Sequence, residues 1–304
     1  MQEASRRAVV AAFCANLGIA LAKFLGFVFT GAASMLAEAV HSVADTANQG
    51  LLMLGGSRAR RPASSEHPFG YARERYFWAF VVALVIFALG ALFALGEGIE
   101  KLRRPHALES MPWAVGILVV AIAFESLSLR TAARQSAEGK AGQSWWAFIR
   151  RSKSPELPVV LLEDFGALVG LGMALVGVGL AELTGNPRFD ALGSVGIGLL
   201  LAVIAVTLVV EMKSLLIGEA ASPAIERKIR GAMESADTVR RVIHMRTQHL
   251  GPDELLVGAK LEFDSDLDFR EVADAIDEVE ASVREAVPTA RVIYLEPDII
   301  RPDR

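Results

Sequence analysis

The stretch MLAEAVHSVADTANQ (residues 35–49) decides the class of this protein, because it places ionisable side chains inside an otherwise apolar segment. At about 100° per residue along an α-helix, Glu38, His41, Asp45 and Asn48 share one face, and His41 and Asp45 lie one above the other. An ionisable side chain at the depth of a lipid bilayer costs several kcal/mol unless it is paired or faces a water-filled cavity. The stretch therefore predicts a functional polar face on a membrane helix.

Six apolar segments of membrane-spanning length, one of which contains this stretch, are found in the sequence. They run from Ala8 to Phe29, Ala32 to Gly55, Phe77 to Ile99, Pro112 to Leu129, Leu157 to Leu183 and Ala191 to Ile217. The chain is 53% hydrophobic, yet 22% of its residues are charged, which favours a membrane part joined to a soluble part. We interpret the first segment as a retained membrane helix, because its apolar run is too long for a cleaved signal peptide.

The distribution of basic residues predicts the orientation in the membrane. Lysine and arginine are concentrated in the loops after the second and fourth apolar segments, on the side of both termini. By the positive-inside rule, we expect an integral multi-pass protein surrounded by membrane lipid, with both termini cytoplasmic, in a bacterial inner membrane. The net charge of −4 and the pI near 5.8 argue against nucleic acid as a partner.

The last part of the sequence has the composition of a soluble domain. Its periodicities follow the order α-β-β-α-β, and Ser222 before Pro223 is typical of a helix start. We therefore predict an α-helical membrane protein. A six-helix transmembrane bundle over residues 1–217 is followed by a small α+β, ferredoxin-like cytoplasmic domain over residues 218–304.

A second pair of acidic residues lies in the fifth apolar segment. The stretch LLEDFGALVG (161–170) contains Glu163 and Asp164. If the second and fifth helices pack together, His41, Asp45 and Asp164 converge. An imidazole nitrogen with carboxylate oxygens suits a divalent ion such as Zn²⁺, and the ion would neutralise the buried carboxylates. These three residues are the predicted metal ligands.

Other polar residues of the apolar segments leave alternatives open. Glu38 and Glu163 are candidates for additional metal or proton-pathway groups, and Glu163, offset about 100° from Asp164, suits a supporting position. Lys23 either snorkels towards the membrane surface or pairs with a carboxylate. Glu125 is interpreted as interfacial. Polar groups of this kind also occur as hydrogen bonds that only hold helices together.

Four motifs resemble the cation diffusion facilitator family of zinc transporters: HSVAD (41–45), HPFGYARERYFWA (67–79), LFALGEGIEKL (92–102) and the LLED version of the fifth segment. The resemblance implies a homodimer that exchanges a divalent metal ion for protons by alternating access. One metal site per protomer would lie between the second and fifth helices. The metal is then cargo and not a cofactor, and the protein is not an enzyme.

The family pattern has two ligands four residues apart on each of these helices. His41 and Asp45 match the first pair and Asp164 matches one member of the second, but Val160 stands at the other position. A neighbouring carboxylate or a water molecule would complete the site, or three ligands suffice. The LLED version resembles a branch whose animal relative is associated with mitochondrial zinc export. Zn²⁺ is the first expectation, and Mn²⁺, Fe²⁺ and Co²⁺ remain open.

Two peripheral metal sites of the family are only partly present. The loop after the second helix keeps His67, but Tyr71 stands where a second histidine is expected. The tail keeps His244 and Glu296, but Tyr294 stands where a histidine is found in some relatives. The resemblance therefore implies a tail that dimerises without a complete binuclear metal site.

Two other functional classes compete with efflux of Zn²⁺ by proton-coupled antiport. A non-transporting, metal-responsive membrane scaffold is favoured by Val160 but gives no reason to retain His41 and Asp45 opposite Asp164. An intramembrane metalloenzyme would use an open coordination position to activate water, and no general base or substrate cleft is evident in the sequence.

Overall fold

The computed structural model describes residues 17–105, 111–140 and 142–300. The first half of the first predicted membrane segment and residues 301–304 of the predicted tail domain lie outside the described residues. The chain forms two compact units. One contains the chain up to Ser57 together with Arg75–Lys213, and the other contains Arg58–Glu74 and Ser214–Arg304.

The first unit is helical at the predicted apolar segments. Its helices are α1 Leu17–Thr30, α2 Ala33–Arg58, α3 Glu74–Arg103, α4 Met111–Lys140, α5 Trp145–Arg151, α6 Glu156–Thr184 and α7 Arg188–Ile217. The short helix α5 was not predicted, and α3 contains a π-helical turn at Ile86–Ala91. Gly31, with φ of 64°, lies in the tight turn between α1 and α2, where a left-handed backbone favours glycine.

Four described helices, α3, α4, α6 and α7, are each long and apolar enough to cross a membrane. Helix α1 is described only from Leu17, and α2 has 26 residues but a lower hydropathy because of its polar face. The predicted helical transmembrane architecture is confirmed.

Glycines bring the last membrane helices close together. A Cβ atom at Gly177 of α6 would lie 2.9 Å from the Phe189 carbonyl oxygen, beside α7. A Cβ atom at Gly198 of α7 would lie 2.8 Å from the Leu95 backbone nitrogen of α3. Small residues allow this close backbone approach in membranes, and α7 thereby packs directly on both α6 and α3.

The second unit contains the predicted α-β-β-α-β tail. Its elements are α8 Pro223–Glu234, β1 Val239–Gly251, β2 Glu254–Phe263, α9 Phe269–Ala286 and β3 Ala290–Pro297. The sheet has the order β1-β2-β3, with β1 and β2 antiparallel and β2 and β3 parallel. The predicted start of α8 is confirmed, because the Ser222 hydroxyl accepts a hydrogen bond from the Ile225 backbone N–H and Pro223 follows it.

The core of the tail follows from the strand and helix periodicities. Every second residue of β2, from Leu255 to Phe263, is buried. Helix α8 buries Ile229 and Met233 and helix α9 buries Val279, all in the same hydrophobic cluster. The two helices therefore cover one face of the three-stranded sheet.

Candidate functional site

The polar face of α2 is buried in the interior of the helical unit. Glu38, His41, Asp45 and Asn48 are between 0 and 9% exposed. Their spacing puts them on one side of a continuous helix, and that side faces protein. The four polar side chains that periodicity places on one face are therefore all buried, and their predicted functional role stays a prediction.

Helix α6 meets this face through Glu163. The Asn48 side-chain amide donates a hydrogen bond of 2.6 Å to Glu163 Oε1, and Asp45 and Glu163 line the same small cavity. Asp164 instead accepts a 2.9 Å hydrogen bond from the Ser128 hydroxyl of α4. Glu163 is thus the α6 carboxylate in direct contact with the α2 face.

A small cavity lies where α1, α2, α4 and α6 meet. Its lining consists of Ile19, Ser42, Asp45, Gln49, Glu125, Glu163 and Asp164. Its volume of ≈ 10 Å³ is about the space of one water molecule. Four carboxyl groups from three helices, those of Asp45, Glu125, Glu163 and Asp164, thus surround one small space. Carboxylate oxygens are the kind of ligand that divalent metals take in proteins.

Glu125 is a cavity residue that sequence reasoning missed. It was interpreted as interfacial, but its side chain is only 13% exposed and it lines the cavity. The available signal was its position inside the fourth predicted span, where a carboxylate is costly unless it faces protein or water.

His41 lies beside the cavity. Its Nδ1 atom is 3.4 Å from Asp45 Oδ1, whereas the described lining does not include His41. Neither ring nitrogen has a hydrogen-bond partner among the described residues, a rare condition for a buried polar atom. Nor does any group of three or more His, Cys, Asp and Glu among the described residues have the spacing to hold a metal ion. The ligand set His41, Asp45 and Asp164 stays a prediction.

Lys23 of α1 is completely buried and paired, the second of its two predicted alternatives. Its ammonium group lies 3.1 Å from Glu38 Oε2 and donates a 2.7 Å hydrogen bond to the Ser42 hydroxyl. It also lies 3.9 Å from Glu125 Oε1. Because Ser42 and Glu125 line the cavity, Lys23 connects Glu38 to its edge.

Val160, at the position where the family resemblance expects a ligand, takes part in apolar packing. It packs against a cluster that contains Phe148 and Ile149 of α5 and Leu161 of α6. Val160 therefore contributes to the apolar contact between α6 and α5.

The predicted peripheral residues have other contacts. The His67 ring lies 4.6 Å, centroid to centroid, from the Tyr71 ring, and His244 Nε2 accepts a 2.9 Å hydrogen bond from Arg246. Glu296 accepts a 2.8 Å hydrogen bond from Lys260, which lies between His244 and Glu296 in the strand register. Hydrogen bonds to Glu296 and Asp298 raise the pKa of Lys260. The Glu296 carboxylate is thus hydrogen-bonded to the ammonium group of Lys260.

Several curated proteins are similar to this chain. The mouse (Mus musculus) "Proton-coupled zinc antiporter SLC30A9, mitochondrial" is 35% identical over 85% of this chain and 46% of its own length. The "Metal tolerance protein C4" of Arabidopsis thaliana is 30% identical over 86% of this chain and 58% of its own length. The "Cation-efflux pump FieF" of Klebsiella pneumoniae (strain 342) is 27% identical over 97% and 94%. The chain spans about half the length of the first two of these relatives.

Two family descriptions cover nearly all of the chain. Residues 9–217 match "Cation efflux transmembrane domain", and residues 221–298 match "Cation efflux protein, cytoplasmic domain". Together with the helical membrane unit and the three-stranded tail, these matches agree with the resemblance carried by the sequence motifs. The chain is therefore an integral membrane protein that belongs to the cation efflux family, a family of transporters and not of enzymes.

Proposed function

We propose that this protein moves a divalent metal ion, Zn²⁺ first, across the membrane in exchange for protons, through a site between α2 and α6. The observation that supports this most strongly is the cavity lined by Asp45, Glu125, Glu163 and Asp164. The name of the mouse relative, a proton-coupled zinc antiporter, agrees with the proposed cargo and counter-ion.

In this proposal, the metal is held by Asp45 from α2 and by Asp164 from α6, with His41 turning towards it. Glu163 is the best candidate for the additional group, because it is hydrogen-bonded to Asn48 of α2 and lines the cavity, whereas Val160 packs elsewhere. One nitrogen and several oxygens suit Zn²⁺ and are also compatible with Mn²⁺, Fe²⁺ and Co²⁺.

Competition between metal and protons provides the coupling. A ligand must be deprotonated to bind a metal ion, so the metal and the protons occupy the same atoms in turn. Asp45, Asp164 and His41 would release protons when the metal enters and take them up when it leaves. Two alternative helix packings would open the cavity to one side of the membrane at a time.

The same proposal covers the assembly and its place in the cell. The tail matches the cytoplasmic domain of cation efflux proteins, and we assign to it the contact between two copies of this chain. Both termini would then be cytoplasmic, in a bacterial inner membrane surrounded by lipid.

Metal uptake into proteoliposomes tests this proposal. Purified protein is reconstituted with a pH-sensitive dye and a metal-sensitive dye inside the vesicles, and Zn²⁺, Mn²⁺, Fe²⁺ and Co²⁺ are added in turn. We expect Zn²⁺ entry with proton movement in the opposite direction, and loss of both in Asp164→Ala. Glu182→Gln is the matched control, because Glu182 is an exposed carboxylate at the far end of the same helix.

The result that would overturn the proposal is an absence of flux for every metal from folded wild-type protein. Normal flux in Asp164→Ala would instead remove this residue from the site. Flux of Mn²⁺, Fe²⁺ or Co²⁺ in place of Zn²⁺ would keep the transport and change the cargo.

A further inference from the structure

A lysine inside a membrane domain is costly unless it has a function or a partner, and Lys23 has three polar neighbours. Its ammonium group contacts Glu38 and Ser42 of α2 and faces Glu125 of α4, so one positive charge joins three helices. The side chain is 0% exposed. None of the transport steps proposed above uses this residue.

Glu38 is engaged by Lys23 through one of its two oxygens only. Oε2 pairs with Lys23, whereas Oε1 is buried and has no hydrogen-bond partner among the described residues. Gly170 of α6 provides the space for it, since a Cβ atom there would lie 2.6 Å from Oε1. Glu38 therefore presents a free carboxylate oxygen on the same face of α2 as His41 and Asp45.

A groove between two helices lies next to Lys23. A groove of ≈ 590 Å³ runs between α1 and α4, and Lys23 is part of its lining. Gly18 and Gly116 lie on the two sides of this groove, and an added Cβ would meet no described atom within 4 Å at either position. The groove is therefore open at Gly18 and Gly116, whereas a Cβ atom at Gly26 of α1 would lie 3.0 Å from the Ile117 Cδ1 atom of α4.

We propose that Lys23 forms an ion pair with Glu38 while no metal is bound there, and that the transported metal ion displaces its ammonium group. This inference rests on the proposed function. Glu38 is then the next binding position for the metal beyond Asp45, towards the turn between α1 and α2. When the metal leaves, the ammonium group returns to Glu38. Lys23 is a positioning residue in this scheme and is not a ligand.

The electrostatics explain why such a residue would be retained. A divalent ion and an ammonium group compete for the same carboxylate field, and their repulsion at short range inside protein is strong. Lys23 therefore keeps the metal from binding too tightly at Glu38 and Glu125. Without it, two uncompensated carboxylates would hold the ion and slow its release.

Zinc affinity and zinc flux must be measured together to test this role. Isothermal titration of the purified full chain gives the dissociation constant, and proteoliposome uptake gives the flux. We expect Lys23→Met to bind Zn²⁺ at least about tenfold more tightly and to transport it more slowly. Lys23→Arg, which keeps the charge, should restore both quantities towards wild type. Lys213→Met is the matched control, because Lys213 is an exposed lysine of α7.

The double variant Lys23→Met/Glu38→Gln removes the Lys23–Glu38 ion pair, so Glu38 does not remain as an unpaired, fully buried charge. It provides the test if Lys23→Met alone does not fold. We expect its zinc affinity to return close to that of wild type while its flux stays low. Wild-type flux in either variant would overturn the role of Lys23, and so would unchanged affinity in a folded Lys23→Met. If the wild-type protein itself carries no metal, the proposed function fails instead.

Discussion

The chemistry of the site depends on which carboxylate of α6 faces α2. From the sequence, Asp164 is the expected ligand and Glu163 a supporting group. In the structure, Glu163 is hydrogen-bonded to Asn48 of α2, while Asp164 is hydrogen-bonded to Ser128 of α4. Both line the cavity, so the two adjacent residues reach it from different directions.

Glu163→Gln tests the contribution of the second carboxylate. The amide oxygen of glutamine still accepts the hydrogen bond from Asn48, so the local fold should persist while one negative charge is lost. We expect the zinc dissociation constant to rise by about 10- to 100-fold, the range typical of residues that support a metal site. Isothermal titration measures it. A dissociation constant equal to that of wild type would exclude Glu163 from the site.

The sequence predicted residue contacts within one helix better than contacts between helices. The stacking of His41 over Asp45 follows from helical periodicity and is observed. The positions of Glu125 and Ser128 beside the cavity were not predicted, because they depend on α4 packing next to α1 and α6. Local periodicity contains no information about which helices are neighbours.

Most of the helices and strands lie where the sequence predicted them. The apolar segments and the cap at Ser222 were readable from local signals. The seven-residue helix Trp145–Arg151 was missed, because so short a helix shows no clear period and is held by packing of Phe148 and Ile149.

Close packing of α3 on α7 is testable at a single glycine. A Cβ atom at Gly98 would lie 2.7 Å from Val195 Cγ2 and 2.8 Å from the Val195 backbone nitrogen. Because the backbone cannot move aside easily, we expect Gly98→Ala to destabilise the folded protein by about 1–3 kcal/mol. Thermal unfolding in detergent measures the loss.

The matched control is Gly96→Ala, two residues away in the same helix. A Cβ atom there meets no described atom within 4 Å, so alanine should be neutral or slightly stabilising through its better helix propensity. Equal unfolding temperatures for the two variants would show that α3 and α7 do not approach as closely as described.

The chain divides into a membrane unit and a tail unit. The composition of the sequence predicts a boundary after residue 217. The compact tail unit also includes the loop Arg58–Glu74, where a Cβ atom at Gly251 would lie 2.5 Å from the Ala72 Cβ atom. Composition could not reveal this association, because the two segments are far apart in the sequence.

Equilibrium zinc binding to the purified full chain tests the proposal that the carboxylate cavity between α2 and α6 binds the transported metal. Asp45→Asn keeps the size of the side chain and removes its charge, with Glu182→Gln as the control. We predict that wild type and Glu182→Gln bind Zn²⁺ at this site and that Asp45→Asn loses it. Zinc bound by Asp45→Asn with the stoichiometry and affinity of wild type would show that the transported metal binds elsewhere.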